Sequence, residues 1–387
     1  EGTPTLKVWA PTASRVSLLL FNQGDDPMEL PATRDKHGGW SVAGAPDWDG
    51  AEYLWEISVF APCQGEFVTN RVTDPYSVGL TVDSTRSVVL DLQSPQWKPE
   101  GWGSAVPPAL LNQAAQSIYE LHVRDFSAWD KSVPQELRGT YRAFTLEDTA
   151  GTTALKELVE AGLTTLHLLP TFDIASSVIP EDRSVQKVPS IDGITLVPEN
   201  QKSLAALVRW GPDSELPSRA VEEVVDTDAF NWGYEPYHWM CPEGSYASPG
   251  NQHGGRRVAE YRSMVESLHN LGLRVVQDVV FNHTTGSGMG SMSVLDKVVP
   301  GYYHRRSPNG DLETSTCCAN IATERLMAEK LMVDTVVSAA RDYRIDGFRF
   351  DLMGHHSLDN LKRVRGALDR LTAEKDGVDG RQIYLYG

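Results

Sequence analysis

Arg344-Ile-Asp-Gly-Phe-Arg-Phe-Asp351 is a short apolar run that carries an arginine and closes on a carboxylate. Read as a strand, it sets Arg349 and Asp351 on one face and Phe348 and Phe350 on the other, because strand side chains alternate. A guanidinium beside a carboxylate keeps the carboxylate ionised and fixes its orientation. A nucleophilic or charge-stabilising aspartate needs both. A buried Arg-Asp pair holding a sheet together would look the same in isolation.

A second run of the same build tips the balance. Leu273-Arg-Val-Val-Gln-Asp-Val-Val-Phe-Asn-His283 is also an apolar, strand-like segment that ends on Asp278, Asn282 and His283. Two strands that each finish in polar, hydrogen-bonding residues describe the C-terminal face of a parallel barrel, where active sites are built.

Working outward, residues 6 to 92 read as all-β. Leu6-Lys-Val-Trp-Ala-Pro11, Arg15-Val-Ser-Leu-Leu-Leu-Phe21, Tyr53-Leu-Trp-Glu-Ile-Ser-Val-Phe60 and Ser87-Val-Val-Leu-Asp-Leu92 are strand-length runs between Gly, Pro and Asp clusters. The expected unit is a β-sandwich over 1–95, of about 100 residues. Its Trp9, Trp40, Trp48 and Trp55 offer flat faces for sugar stacking, although core packing is the commoner use of such rings. Residues 96–116, rich in Pro, Gln and Ala, read as a linker.

From 117 to 387 strands alternate with helices, which predicts a parallel sheet with right-handed crossovers. Strands are expected at 117, 164, 273, 345 and 383. Helices are expected over 152–161, 256–271, 323–343 and 358–373, with Gly162 and Gly272 placed to end the first two. Residues 172–229 show no clear periodicity and read as a long insert. Five strands fall short of the eight that a closed (β/α)₈ barrel requires. The fold class expected is therefore multidomain β plus α/β, with the first five strands of a barrel that looks truncated at residue 387.

The 387 residues carry a net charge of -17, which argues against nucleic acid as a partner. No apolar run approaches the roughly 20 residues of a membrane span, and no signal-like segment opens the chain. The chain starts at Glu1 and not Met, as expected of a processed or cut start. Cys63, Cys241, Cys317 and Cys318 are too few and scattered for a disulfide framework, and no Cys-x-x-Cys spacing indicates zinc.

These residues also resemble a known family. Asp278-Val-Val-Phe-Asn-His283 and Gly347-Phe-Arg-Phe-Asp-Leu-Met-Gly-His355 look like the first two sequence regions of the α-amylase superfamily of glycoside hydrolases. Phe230-Asn-Trp-Gly-Tyr-Glu-Pro236 resembles the motif of its debranching branch, the pullulanases and limit dextrinases, with Phe and Glu substituted. Tyr119-Glu-Leu-His-Val-Arg-Asp-Phe-Ser127, Pro242-Glu-Gly-Ser-Tyr246 and Ser293-Val-Leu-Asp-Lys-Val-Val-Pro300 are similar to further segments, and 6–21 resembles the starch-associated module that precedes the barrel.

The resemblance implies a retaining glycoside hydrolase that cleaves α-1,6 branch linkages in pullulan, amylopectin or limit dextrins. Asp351 would be the nucleophile and Arg349 the group that keeps it ionised. Tyr234, Asp278, His283, His355 and Trp232 would bind substrate. No cofactor is implied, although Asn282 matches a position that ligates calcium in some relatives, so a structural calcium is a further expectation. An α-glucan is the expected partner, with no nucleic acid and no membrane, and a plastid stroma the expected compartment; a bacterial extracellular setting is the alternative.

One departure stands out. The family's general acid is a Glu at the end of the fifth strand, and Tyr384-Leu-Tyr-Gly387 stops one residue before it. A retaining enzyme needs two carboxyl groups about 5 to 5.5 Å apart, and none of these side chains can be assigned as the acid, so this chain alone is expected to be inactive. The rival readings are an isoamylase-type relative and a non-catalytic glucan-binding protein.

Overall fold

The computed structural model describes residues 3–22, 24–110, 112–175, 181, 189–191, 193–196, 201–224 and 232–387. Two units result: 1–175 together with 232–387, and 176–231.

In the first unit, Glu52–Ala61 shows why the N-terminal part folds as antiparallel sheet. Tyr53, Trp55, Ile57, Val59 and Ala61 alternate inward and are buried, while Phe60 on the opposite face is exposed. This strand pairs antiparallel with Ala13–Phe21, Leu18 facing Trp55. Met28–Pro31 and Glu66–Val72 flank the pair, and Ser87–Val88 adds to it. A second sheet is made of Thr5–Trp9, Gly39–Ala43 and Thr33–Arg34. Asp35 shapes the turn between the last two strands, its Oδ1 accepting from the amides of His37 and Gly39. Trp40, Trp48 and Trp55 fill the core, and Trp9 packs edge-on against Tyr302.

Four of these strands, Met28–Pro31, Thr33–Arg34, Gly39–Ala43 and Glu66–Val72, are not visible as strands in the sequence reading. Met28–Pro31 and Glu66–Val72 are largely exposed, so no apolar alternation marks them. The strand expected over 87–92 is cut to Ser87–Val88.

The parallel sheet holds Ile118–Leu121, Thr165–Leu168, Arg274–Val279, Gly347–Phe350 and Tyr384–Tyr386, each parallel to the next, so chain order and spatial order coincide. These are the five strands expected. The helices Ala150–Glu160, Gly255–Asn270, Leu326–Asp342 and Leu358–Leu368 alternate with them. A capping box at Thr149 starts the first. Gly162 and Gly272, at φ 103° and 87°, follow the C-caps of the first two. The last helix is shorter than expected: it stops at Leu368, and Thr372 caps a separate turn, Ala373–Asp376.

Two fully buried arginines of Gly255–Asn270 sew distant segments onto this sheet. Arg262 donates to the carbonyls of Asp342, Trp97 and Leu92, and Arg257 to those of Gln252, Pro242 and Thr81. Arg257 also faces a carboxylate, its Nη1 lying 3.5 Å from Oδ1 of the equally buried Asp173. Segment 103–105 is tied down too, with Glu266 accepting from the amides of Gly103 and Ala105.

Phe172–Ile174, within the stretch read as insert, is a strand paired antiparallel with Pro236–Pro242. In the second unit, Gln201–Trp210 and Leu216–Glu222 are helices and Ser190–Ile191 pairs with Ile194–Thr195. The sequence reading missed both helices. Pro217 lies in the first turn of Leu216–Glu222, where a proline costs no hydrogen bond. Among the described residues no helix is long and apolar enough to cross a membrane.

Candidate active site

Parallel pairing of Arg274–Val279 with Gly347–Phe350 sets Asp278 directly opposite Arg349. Gly347 makes that register possible. A Cβ there would sit 2.9 Å from Val276 Cγ2 and 3.0 Å from the Tyr384 carbonyl of the next strand. Phe348 and Phe350 turn into the core, fully buried, and Arg349 turns the other way.

One guanidinium nitrogen serves both carboxylates. Arg349 Nη1 donates to Asp278 at 3.2 and 3.0 Å and to Asp351 Oδ1 at 2.9 Å. Burial pulls the Arg349 pKa down, but the two facing carboxylates outweigh it and raise the value overall. Asp351 also accepts from Asn282 Nδ2, at 3.0 Å on Oδ2 and 2.9 Å on its carbonyl, while its own amide donates to Val279. The next residue, Leu352, is held at φ 44°, ψ 50°, a left-handed conformation that costs a non-glycine residue energy.

Asp278 is fully enclosed. Tyr234 donates to its Oδ2 at 2.8 Å, and His167 Nε2 lies 3.4 Å away. Burial first, then the Asp278 charge, raises the Tyr234 pKa far above the usual phenol range. Gly233, at φ 90°, lets the chain deliver Tyr234 there, since a Cβ would fall 2.8 Å from Pro170 Cβ. Trp232 beside it is 60% exposed. Phe230 and Asn231 of the same motif lie outside the described residues.

His283 is buried, with Nδ1 2.5 Å from Asn282 Oδ1 and Nε2 3.0 Å from the Tyr234 carbonyl. Burial lowers its pKa, partly offset by that carbonyl. His355 stands on the turn after Asp351, its carbonyl accepting from Arg305, which also forms a two-point pair with Glu324.

Asp351, Arg349, Asp278, Tyr234 and His283 thus form one continuous hydrogen-bonded group, with Asn282 as its link. His167 and Glu120, 3.3 Å apart, extend it behind Asp278. Sequence reasoning missed these two. Their only signal was a histidine and a glutamate inside otherwise apolar strands, and lateral register alone shows that they meet. Asn282 Nδ2 serves Asp351, and its Oδ1 lies 2.5 Å from His283 Nδ1.

Known proteins are similar to this chain along nearly its whole length. Residues 1–77 match the carbohydrate-binding module 48 family, the isoamylase N-terminal domain. The chain is 42% identical over 394 residues to pullulanase 1, chloroplastic, of Arabidopsis thaliana, covering 100% of this chain and 39% of that protein. It is 38% identical to the pullulanase of Klebsiella aerogenes, with coverage of 99% and 36%. The crystal structure of apo pullulanase from Klebsiella pneumoniae superposes with a TM-score of 0.87 at 35% identity, over 96% of this chain and 42% of that one. The same enzyme complexed with maltotriose gives 0.88 at 35%, over 96% and 38%. The chain thus spans about two fifths of the length of the curated pullulanases it matches.

Proposed function

We propose that this chain, a pullulanase homologue along its whole length, supplies the glucan-binding module and the nucleophile of an enzyme that debranches starch-type glucans by hydrolysing α-1,6 linkages. The observation that carries this reading is the single Arg349 nitrogen shared by Asp278 and Asp351 at the ends of adjacent parallel strands. Such a cation holds Asp351 ionised and aimed, as an attacking carboxylate requires.

Asp351 attacks the anomeric carbon to form a glycosyl-enzyme intermediate, with Asn282 fixing its second oxygen. Tyr234 stacks on the sugar, His283 binds it, and His355 and exposed Trp232 contact flanking residues of the glucan. The resemblance puts Asp278 on the sugar as well. Its complete burial has it act instead through Tyr234 and Arg349. We read the five parallel strands as the first five of a (β/α)₈ barrel, preceded by a β-sandwich over 1–95 and the segment 96–116.

The acid that protonates the leaving oxygen is assigned to none of the described residues. The lateral register pairs Arg349 with Tyr386, so a residue continuing that strand two positions beyond Tyr386 would fall beside Asp351. Neighbouring strands lie about 4.8 Å apart, close to the carboxyl spacing of a retaining enzyme. The reaction needs no cofactor. The likeness to the chloroplastic Arabidopsis protein favours a plastid over a bacterial extracellular setting.

The experiment is Asp351→Asn in the full-length polypeptide, assayed on pullulan and limit dextrin. Release of linear chains should fall at least 10³-fold with glucan binding retained; undiminished cleavage would refute the reading. Strict preference for α-1,4 bonds in the unmodified enzyme would refute the specificity.

A further inference from the structure

We propose that His283, Cys317 and Cys318 form a binding site for a thiophilic divalent cation, of the Zn²⁺ or Cd²⁺ class, at the rim of the Asp351 site. An imidazole nitrogen of His283 and the two sulfur atoms lie within 4.8 Å of one another. Tetrahedral zinc, with Zn–S near 2.3 Å and Zn–N near 2.0 Å, spaces such donors roughly 3.5 to 3.8 Å apart. Closing the set therefore asks for movements of about 1 Å, which exposed and half-buried side chains can make.

The backbone presents these donors on a braced frame. His283–Thr284 pairs antiparallel with Ala319–Asn320, His283 facing Asn320. Cys318 lies in the bend that leads into this ribbon, two residues before Asn320. Thr316 donates to Asn320 Oδ1 at 2.8 Å and to the Cys318 carbonyl at 3.3 Å, and Asn320 donates to Ser315 Oγ at 2.8 Å. Cys317 is exposed and Cys318 half-buried, so a cation can enter.

Both ring nitrogens of His283 lie beside oxygens, Asn282 Oδ1 at 2.5 Å and the Tyr234 carbonyl at 3.0 Å, so ligation takes one nitrogen out of that contact by a turn of the ring. Two thiols with one imidazole are soft donors that select zinc-like ions over calcium or magnesium. The net charge of -17 attracts cations in general. On binding, two S–H bonds break, two metal–thiolate bonds form, and two protons leave to solvent. The fourth position is open to water.

The proposal does not depend on hydrolytic activity, and its test reads the metal alone. The reduced chain is titrated anaerobically with Cd²⁺, following the ultraviolet thiolate-to-cadmium absorption and proton release. One equivalent should bind with release of two protons. Cys317→Ser and Cys318→Ser should each weaken binding at least tenfold, and His283→Gln should weaken it while keeping the thiolate band. Cys63→Ser should bind like the unmodified chain. Absence of stoichiometric binding, a Cys317→Ser or Cys318→Ser variant that binds undiminished, or a His283→Gln variant with unchanged affinity would each overturn the site as stated.

Discussion

Replacing Arg349 by Met tests whether the shared guanidinium holds the site together. The side chain of Asp278 is 0% exposed and that of Arg349 28% exposed. Without Arg349, the Asp278 carboxylate keeps the Tyr234 hydroxyl at 2.8 Å and a long approach to His167 at 3.4 Å. Breaking a buried ion pair by removing one partner costs about 3–5 kcal/mol, because a charge is left in a poorly solvating place. Solvent already reaches part of Arg349, which places this case at the lower end, about 3 kcal/mol. The double variant Asp278→Asn, Arg349→Met removes the stranded charge and should recover most of the loss. Asp351→Asn, on the rim at 15% exposure, should cost under about 1 kcal/mol. Urea unfolding at pH 7, followed by tryptophan fluorescence and far-ultraviolet circular dichroism, gives these differences as midpoint shifts at constant slope. A loss below about 1 kcal/mol for Arg349→Met, or a double variant less stable than the single, would show that the pair does not hold the strand ends in register.

Three further outcomes are expected. Burial first, then the charges of His355 and Arg305, lowers the His356 pKa to about 4; the unfolded chain therefore binds the extra proton between pH 6.5 and 4, and stability falls with falling pH by up to about 3 kcal/mol. His356→Gln should flatten that part of the pH–stability curve, and curves that stay parallel would contradict it. Gly347→Ala, which drives a Cβ against Val276 Cγ2 and the Tyr384 carbonyl, should cost about 1–3 kcal/mol by the same unfolding assay. Glu266→Ala removes the acceptor for the Gly103 and Ala105 amides, so limited proteolysis should cut within 100–110 faster than in the unmodified chain.

What could be read in the sequence follows from where the physics is local. Strand alternation around Arg349, the glycines after two helices, and the five strand positions depend on neighbours within a few residues. Edge strands such as Glu66–Val72 carry a polar face and leave no apolar stripe. The helix Leu216–Glu222 hid behind Pro217, a residue that reads as a breaker in the interior of a helix and as a starter in its first turn.

The site itself lies on the other side of that divide. Asp278 and Arg349 are separated by 71 residues and Glu120 and His167 by 47, yet each pair meets only through strand register. A shift of the Gly347–Phe350 strand by one residue would turn Arg349 into the core and Phe350 out. The register is therefore a condition of the chemistry, and the absence of a side chain at Gly347 sets it by letting Val276 and Tyr384 approach from both sides. The residue that fixes the geometry of Asp351 is thus a glycine with no polar group of its own, which is why Gly347→Ala should disturb Asp351 although it touches no charge.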